Sequence, residues 1–259
     1  MSSEPGRGRV KVELVPFASE CGYEIRVAHP QATVGDYLRA LETLVGEPAL
    51  TRRRNPGGTC YACPRCCAER IPITSIDLMR LAGVQEVTGG VPDPGRRPRL
   101  SADGPRADDR RGATVRPHPL LSAVKEYGWV SVWGRVVDIT LRRGEAGECV
   151  FLDLGSGLCR QYHRRPLVCR TYFCSPCGPL ARKVREAVVN RGQDELVRLL
   201  LEHAGPYGFP INEADDADLR LEDWQEPNNP YRGKTDYDEV LLREVLSQKL
   251  WKRVYVPGL

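Results

Sequence analysis

Nine of the ten cysteines in this 259-residue chain fall into two groups whose spacing is typical of metal ligands. The first group packs four thiols into eight residues, in the pattern Cys60-x2-Cys63-x2-Cys66-Cys67. Two-residue gaps let a tight turn direct successive sulfurs at one point, so zinc knuckles and iron–sulfur loops both use them. Cys67 departs from the ferredoxin run because it follows Cys66 directly. The side chains of neighbouring residues point differently, so these two thiols need not bind the same metal centre. Alternatively, one of them is a buried apolar residue and binds no metal.

The second group contains the five remaining clustered cysteines: Cys149, Cys159, Cys169, Cys174 and Cys177. The gaps between its last three members, of four and then two residues, equal those of the first three cysteines of plant-type ferredoxins. Four arginines lie among these thiols: Arg160, Arg164, Arg165 and Arg170. Positive charge lowers the pKa of a thiol and offsets the charge of a thiolate-bound cluster, although an ordinary exposed surface explains the arginines equally well. We expect this group to complete the metal site or to hold a second one. The alternative for Cys149 is that it packs in the core as part of a strand and binds no metal.

Other candidate residues for chemistry are few. Cys21 stands apart from both groups and is interpreted as a core or turn residue. His163 lies beside the thiols in the sequence and is interpreted as a polar neighbour in preference to a ligand. No Ser-His-Asp order, His-Glu-x-x-His motif or phosphate-binding loop is present, so the sequence identifies no reaction. The net charge of +4, with acidic and basic residues interspersed, does not indicate nucleic-acid binding.

The expected compartment supports metal binding over disulfides. The amino terminus lacks the apolar segment of a signal peptide, and no segment approaches the roughly 18 apolar residues needed to cross a bilayer. We therefore expect a cytoplasmic protein that does not enter the membrane. Because thiols stay reduced in that compartment, clustered cysteines indicate metal or redox chemistry.

The elements that must position these cysteines begin with a hairpin and a helix. Alternating apolar residues predict strands at 10–14 and 23–27. Thr33 is predicted as a helix N-cap with Asp36 at the third helical position, and Gly46 as the helix end.

Short elements are predicted around the cysteine groups. A basic, Gly-rich segment at 51–59 leads into the first group, and a helix follows with Thr74 and Asp77 as its capping pair and Gly83 as its end. The segment 89–119 is rich in Pro, Gly, Arg and Asp and is predicted to be an exposed or disordered insert. Strands are predicted at 129–133, 137–141 and 149–154.

The carboxyl-terminal part is predicted to be helical. Apolar stripes recur at 180–188, 196–200 and 242–250, and the acidic stretch 213–218 is interpreted as a solvated loop or helix start. The fold class is therefore α+β, with a short antiparallel sheet in an irregular Cys-rich core. The predicted domains are an amino-terminal ββα unit (1–50), a cysteine-cluster metal-binding domain (51–182) and a helical extension (183–259).

Together these segments resemble the YkgJ-like cysteine-cluster family, which is described as zinc- or iron-chelating. The resemblance rests on Cys60-x2-Cys63-x2-Cys66-Cys67, Ile-Pro-Ile-Thr-x3-Leu at 71–78, Cys149-Val-Phe-Leu, Gly157-Leu-Cys159, Tyr162-x2-Arg165-Pro-Leu-Val-Cys169-Arg170 and Cys174. It covers residues 58–82 and 148–178. It implies that the clustered cysteines bind metal, and it leaves zinc and iron open.

Three functions follow from these patterns. The first is an iron–sulfur protein, with a 4Fe–4S cluster favoured, that serves an unidentified redox or protein partner; eight or nine thiols exceed what one tetrahedral zinc can use. The second is a structural zinc module for protein or RNA interaction, because two zinc sites would also consume eight thiols. The third is a modifying enzyme, since relatives in the resembled family include flagellin lysine methylases; the C-x3-C-x2-C run of radical S-adenosylmethionine enzymes is absent here.

Overall fold

The computed structural model describes residues 8–56, 58–61, 63–83, 118–226 and 228–259. Within these ranges the chain forms an amino-terminal hairpin, a cysteine-rich middle with a short sheet, and a mainly helical carboxyl-terminal part. The predicted α+β class is confirmed. Except for its last two residues, the predicted insert at 89–119 lies outside the described residues.

The amino-terminal unit agrees with the predicted hairpin and helix. Strands β1 (Val10–Phe17) and β2 (Glu20–Val27) pair antiparallel, and α1 (Val34–Glu42) follows. Thr33 and Asp36 form the predicted capping box, in which each side chain accepts a hydrogen bond from the other's backbone N–H.

Helix α1 ends at Glu42, before the predicted end at Gly46. Beyond the helix, the carbonyls of Leu44 and Val45 accept hydrogen bonds of 2.8 and 3.0 Å from Nη2 of Arg52. The same carbonyls accept backbone bonds from Glu47 N and Cys60 N, so backbone and side-chain donors together hold the turn beyond α1.

The middle of the chain begins with α2 and a small sheet. Helix α2 (Ser75–Leu81) has the predicted capping box of Thr74 and Asp77, and Gly83 follows it with φ +66°. After α3 (Pro119–Tyr127), strands β3 (Gly128–Trp133) and β4 (Val136–Leu141) pair antiparallel as predicted. A third strand, β5 (Glu213–Asp215), pairs parallel with β3, so the solvated loop or helix start expected at 213–218 is wrong for these three residues.

The strand predicted at 149–154 does not form in the described structure. Only single pairings occur there, Cys149 with Arg143 and Leu152 with Cys159. The N–H of Cys149 bonds instead to the carbonyl of Cys67 at 2.7 Å, and the Asp153 carboxylate accepts bonds from the turn that follows. The segment therefore folds back on itself and ties the two cysteine groups together.

Four more α-helices follow β4 in the described chain: α4 (Leu167–Thr171) and α5 (Pro179–Gly208) before β5, and α6 (Leu242–Val245) and α7 (Gln248–Val254) after it. Buried Glu24 in β2 accepts hydrogen bonds from Leu180 N and Ala181 N, which joins the hairpin to the start of α5. The single helix predicted over 242–250 is divided because Ser247 caps α7 by accepting a bond from Leu250 N. No helix of the described ranges combines the length and apolarity that a bilayer crossing requires.

Two apolar cores support the cysteines. The first core lies between the hairpin, α1, the first half of α5, α6 and α7, and Cys60 and Cys177 pack against it. The second core lies between α2, α3, the sheet and the second half of α5, and it includes Cys149 with Cys67, Cys159 and Cys169 against it. The cysteine-rich segments thus lie between two packed units.

Candidate metal centre

Eight of the nine predicted ligands line one cavity of about 220 Å³; they are Cys60, Cys63, Cys66, Cys67, Cys149, Cys159, Cys169 and Cys174. Cys177 is not among the lining residues. It pairs with Tyr23 of β2 and packs against the first core, while Cys21 lies in the hairpin. The fold therefore brings the two predicted groups together and leaves one member of the second group outside the cavity.

Four of these thiols, Cys60, Cys63, Cys66 and Cys174, interact with one another and are called the first quartet. Burial, and then the charges of the Cys174, Cys63 and Cys60 thiolates, raise the pKa of Cys66 to about 12. A hydrogen bond of 2.9 Å from Arg53 N to the Cys174 carbonyl brings this distant cysteine to the loop. The other three members lie in one loop, which contains a short 3-10 turn at Pro64–Cys66.

The other four, Cys67, Cys149, Cys159 and Cys169, are called the second quartet. Burial, and then the charges of the Cys149 and Cys159 thiolates, raise the pKa of Cys67 to about 11. The pKa of Cys169 is raised well above its ordinary value by burial and then by Cys149. Every member comes from a different segment of the chain.

The boundary between the quartets falls between consecutive residues. Cys66 interacts with Cys174, Cys63 and Cys60, whereas Cys67 interacts with Cys149, Cys159 and Cys63. The two sites are thus adjacent, with Cys63 near both. In the described part of the chain, no three Cys, His, Asp or Glu side chains are placed to hold a metal ion, so the thiols surround the cavity without converging on one point.

A buried arginine supports the first quartet. Arg52 is 4% exposed, and its Nη atoms donate hydrogen bonds to the carbonyls of Leu44, Val45, Glu47 and Leu50. Its Nε lies 3.4 Å from Sγ of Cys60. Sequence reasoning missed this residue, because nothing in the run Thr-Arg-Arg-Arg distinguishes the one guanidinium that is buried.

Of the four arginines predicted near the thiols, Arg165 and Arg170 line the cavity. Arg160 and Arg164 are exposed, and neither they nor His163 line it. Burial lowers the pKa of the Arg170 guanidinium, and the neighbouring guanidiniums of Arg80 and Arg165 act in the same direction. Arg52 and Arg70 also line the cavity, so four arginines face the thiols.

The donor set fits a thiolate-bound metal. Two quartets of thiols are the ligand complement of structural zinc sites and of iron–sulfur clusters. Because burial raises the thiol pKa values, a cation is needed to offset the thiolate charges that binding creates in this cavity.

Comparison with protein families agrees with this chemistry. Residues 59–187 match the family model CxxCxxCC, described as "Putative zinc- or iron-chelating domain". This part of the chain is a CxxCxxCC domain. The match begins just before Cys60, includes both quartets and ends in α5, so the resemblance to the YkgJ-like family is confirmed. Curated proteins and solved structures give no match.

Residues 59–187 thus match a domain described as zinc- or iron-chelating, and eight of their cysteines line one cavity. The hairpin β1–β2 and helices α6 and α7 lie outside the matched residues, although they build the first core on which Cys60 packs. The predicted domain boundaries at 50 and 182 stay predictions.

Proposed function

We propose that the CxxCxxCC domain is an iron–sulfur protein that holds a cluster on each quartet and serves redox or cluster-dependent chemistry. The observation that carries the proposal is the presence of eight cysteine thiols on one cavity, which their mutual charge interactions divide into two sets of four with Cys63 near both. Four thiolates are the ligand set of a 4Fe–4S cluster. A bound cluster would supply one-electron transfer to an unidentified redox partner.

The chain's own residues would adjust such a centre. Arg52 would donate its Nε–H to the Cys60 thiolate at the observed 3.4 Å, while its Nη groups remain fixed by four backbone carbonyls. Hydrogen bonds to ligand sulfurs and nearby positive charge favour the reduced form of a cluster. The apolar residues Ile71, Leu141 and Phe151 line the same cavity and would limit water around the sulfurs.

The test is purification of the full chain without oxygen, followed by a visible spectrum and by iron, zinc and acid-labile sulfide analysis. We expect a brown protein with broad visible absorption, iron and equimolar sulfide. A colourless protein that carries stoichiometric zinc and no sulfide would contradict the iron–sulfur proposal.

A structural zinc module is the second candidate, and one observation favours it. Each quartet has four thiols, the number that a tetrahedral structural zinc takes. In that case the chain would hold two zinc ions, and its function would be interaction with a protein partner. The methylase-type activity implied by the family resemblance stays a prediction. No residue of a substrate-binding site has been identified that would support it.

A further inference from the structure

Two arginines at the edge of the cavity share one carboxylate. Glu42, the last residue of α1, has its Oε1 3.1 Å from Nη2 of Arg165 and its Oε2 3.7 Å from Nη2 of Arg170. Both guanidiniums are largely buried, with 13% and 22% of their side-chain surfaces exposed, whereas Glu42 is 45% exposed. A carboxylate on the solvent side thus bridges two arginines that belong to the site.

Arg165 is held in place by groups other than Glu42. Its guanidinium stacks on the ring of Tyr162 at 3.9 Å, and its Nε donates to the Tyr162 carbonyl at 3.0 Å. Its Nη2 donates to Glu42. The arginine would therefore keep its position if another anion replaced the Glu42 carboxylate.

Arg170 has donors that the described chain does not use. Its 3.7 Å contact with Glu42 exceeds hydrogen-bond length, and no side-chain hydrogen bond of its guanidinium occurs among the described residues. A guanidinium carries five N–H donors, and those of Arg170 are not among the buried atoms of the described chain that lack a partner, so they remain accessible to an added anion. Arg170 lines the cavity together with Arg165 and Tyr162, so an anion in the cavity can reach it.

We propose that Arg165 and Arg170 form a subsite for the carboxylate of a small molecule, which Glu42 of the same chain now occupies. The resident group is itself a carboxylate, and a planar carboxylate matches paired guanidiniums through two oxygens. The ligand must be small, because the cavity of about 220 Å³ is below the size of sites for drug-sized ligands and its eight thiols are proposed to hold metal there. A role for the bound carboxylate at the metal centre rests on the proposed function. Binding of the anion itself does not, because the two arginines carry their charge whatever metal the thiols hold.

Calorimetric titration of the full, metal-loaded chain with succinate, acetate and inorganic phosphate tests the subsite, with metal and sulfide measured on the same sample. We expect succinate to bind, and to bind more tightly than phosphate. Arg170→Gln should weaken succinate at least tenfold, since it removes charge-assisted hydrogen bonds of about 1.5–3 kcal/mol. Glu42→Gln should tighten succinate about threefold, because it removes the competing surface carboxylate.

The control is Arg164→Gln, which removes one exposed positive charge from the same segment and should leave succinate affinity within about twofold. Absence of succinate binding by metal-loaded wild-type protein, equal weakening by Arg164→Gln, or unchanged affinity in Glu42→Gln would overturn the subsite. Tenfold tighter binding of phosphate would overturn its assignment to carboxylates. If Arg170→Gln is unfolded by circular dichroism, Arg170→Lys replaces it, since lysine keeps the charge but loses the fork of donors. Loss of metal with intact succinate binding would count against the proposed function alone.

Discussion

The two quartets of this site are built in opposite ways. The first quartet takes three of its thiols from one loop, and only Cys174 comes from far along the chain. The second quartet takes each thiol from a different segment, and the N–H of Cys149 must bond to Cys67 to bring two of them together. A site made from a loop is set by local turns, whereas a site made from four segments exists only when the fold is complete.

Their supports differ accordingly. The first quartet depends on one buried side chain, Arg52, which reaches both the end of α1 and Cys60. The second quartet packs against an apolar core and is connected to the carboxyl-terminal part through Asp77, which accepts hydrogen bonds from Leu167 N and Tyr237 Oη. Damage to the first should therefore stay local, while damage to the second should spread through the fold.

The largest test separates the quartets by their metal content. Cys60→Ser/Cys174→Ser should lose about half of the bound metal, and Cys149→Ser/Cys159→Ser should lose the other half, because four thiolates are needed to close each centre. Metal per chain, measured by mass spectrometry after loading with excess metal, gives the result. Cys177→Ser is the control and should keep all of the metal, since this thiol does not line the cavity. Complete loss of metal in either double variant would show a single shared centre.

The next test removes the support of the first quartet. Arg52→Gln should lower the free energy of unfolding by about 3 kcal/mol, because it removes four hydrogen bonds to backbone carbonyls and leaves the Leu50 carbonyl without another donor in the described structure. Metal loss should be confined to the first quartet. Urea denaturation and metal analysis measure the two effects, and Arg53→Gln is the matched control because this neighbour is exposed and pairs with Glu20 at the surface. Equal destabilisation by both variants would contradict a special role for Arg52.

A smaller loss of stability is expected when the hydrogen bond that supports Asp77, next to the second quartet, is removed. Tyr237→Phe removes a hydroxyl that lies 2.6 Å from Oδ1 of Asp77 and 2.7 Å from Oγ1 of Thr74, and should cost about 2 kcal/mol. Because Asp77 also holds the start of α4, which carries Cys169, metal should become more labile in the second quartet. Chelator competition measures this lability. Tyr255→Phe, whose hydroxyl makes no hydrogen bond in the described structure, should leave it unchanged.

The smallest expected effect is the difference in unfolding free energy between variants that remove the N-caps of α1 and α2. Thr33→Ala and Thr74→Ala each remove an N-cap and should each cost about 1 kcal/mol by thermal or urea unfolding. Thr74→Ala should cost more, because this fully buried threonine also bonds to Tyr237. Thr43→Ala, in an exposed threonine that caps no helix start, is the control. A larger cost for Thr33→Ala would contradict the tighter coupling of the second quartet to the fold.

Features fixed by neighbouring residues could be predicted from the sequence. The hairpin, both capping boxes and the Cys60–Cys67 loop depend on alternation, on pairs three residues apart and on two-residue gaps. The predicted helix end at Gly46 was wrong, since α1 ends at Glu42 and Arg52 binds carbonyls of the turn that follows. Such a contact leaves no periodic signal in the sequence.

The run of Cys169, Cys174 and Cys177 shows the same limit most clearly. Its gaps are those of a ferredoxin loop, yet its members lie in the second quartet, in the first quartet and beside the hairpin. Backbone bonds to distant partners separate them: Arg53 N binds the Cys174 carbonyl, and Cys177 pairs with Tyr23. Spacing alone cannot predict which quartet a thiol joins when the partner lies more than a hundred residues away.

The adjacency of Cys66 and Cys67 has a consequence for how the sites fill. Consecutive Cα atoms are about 3.8 Å apart, so a proposed ligand of one site is covalently fixed to a proposed ligand of the other. Metal bound at either quartet therefore immobilises the peptide that the other needs, and the second binding event costs less conformational entropy than the first. The two centres of one chain should accordingly load cooperatively, with few half-filled molecules at intermediate metal supply.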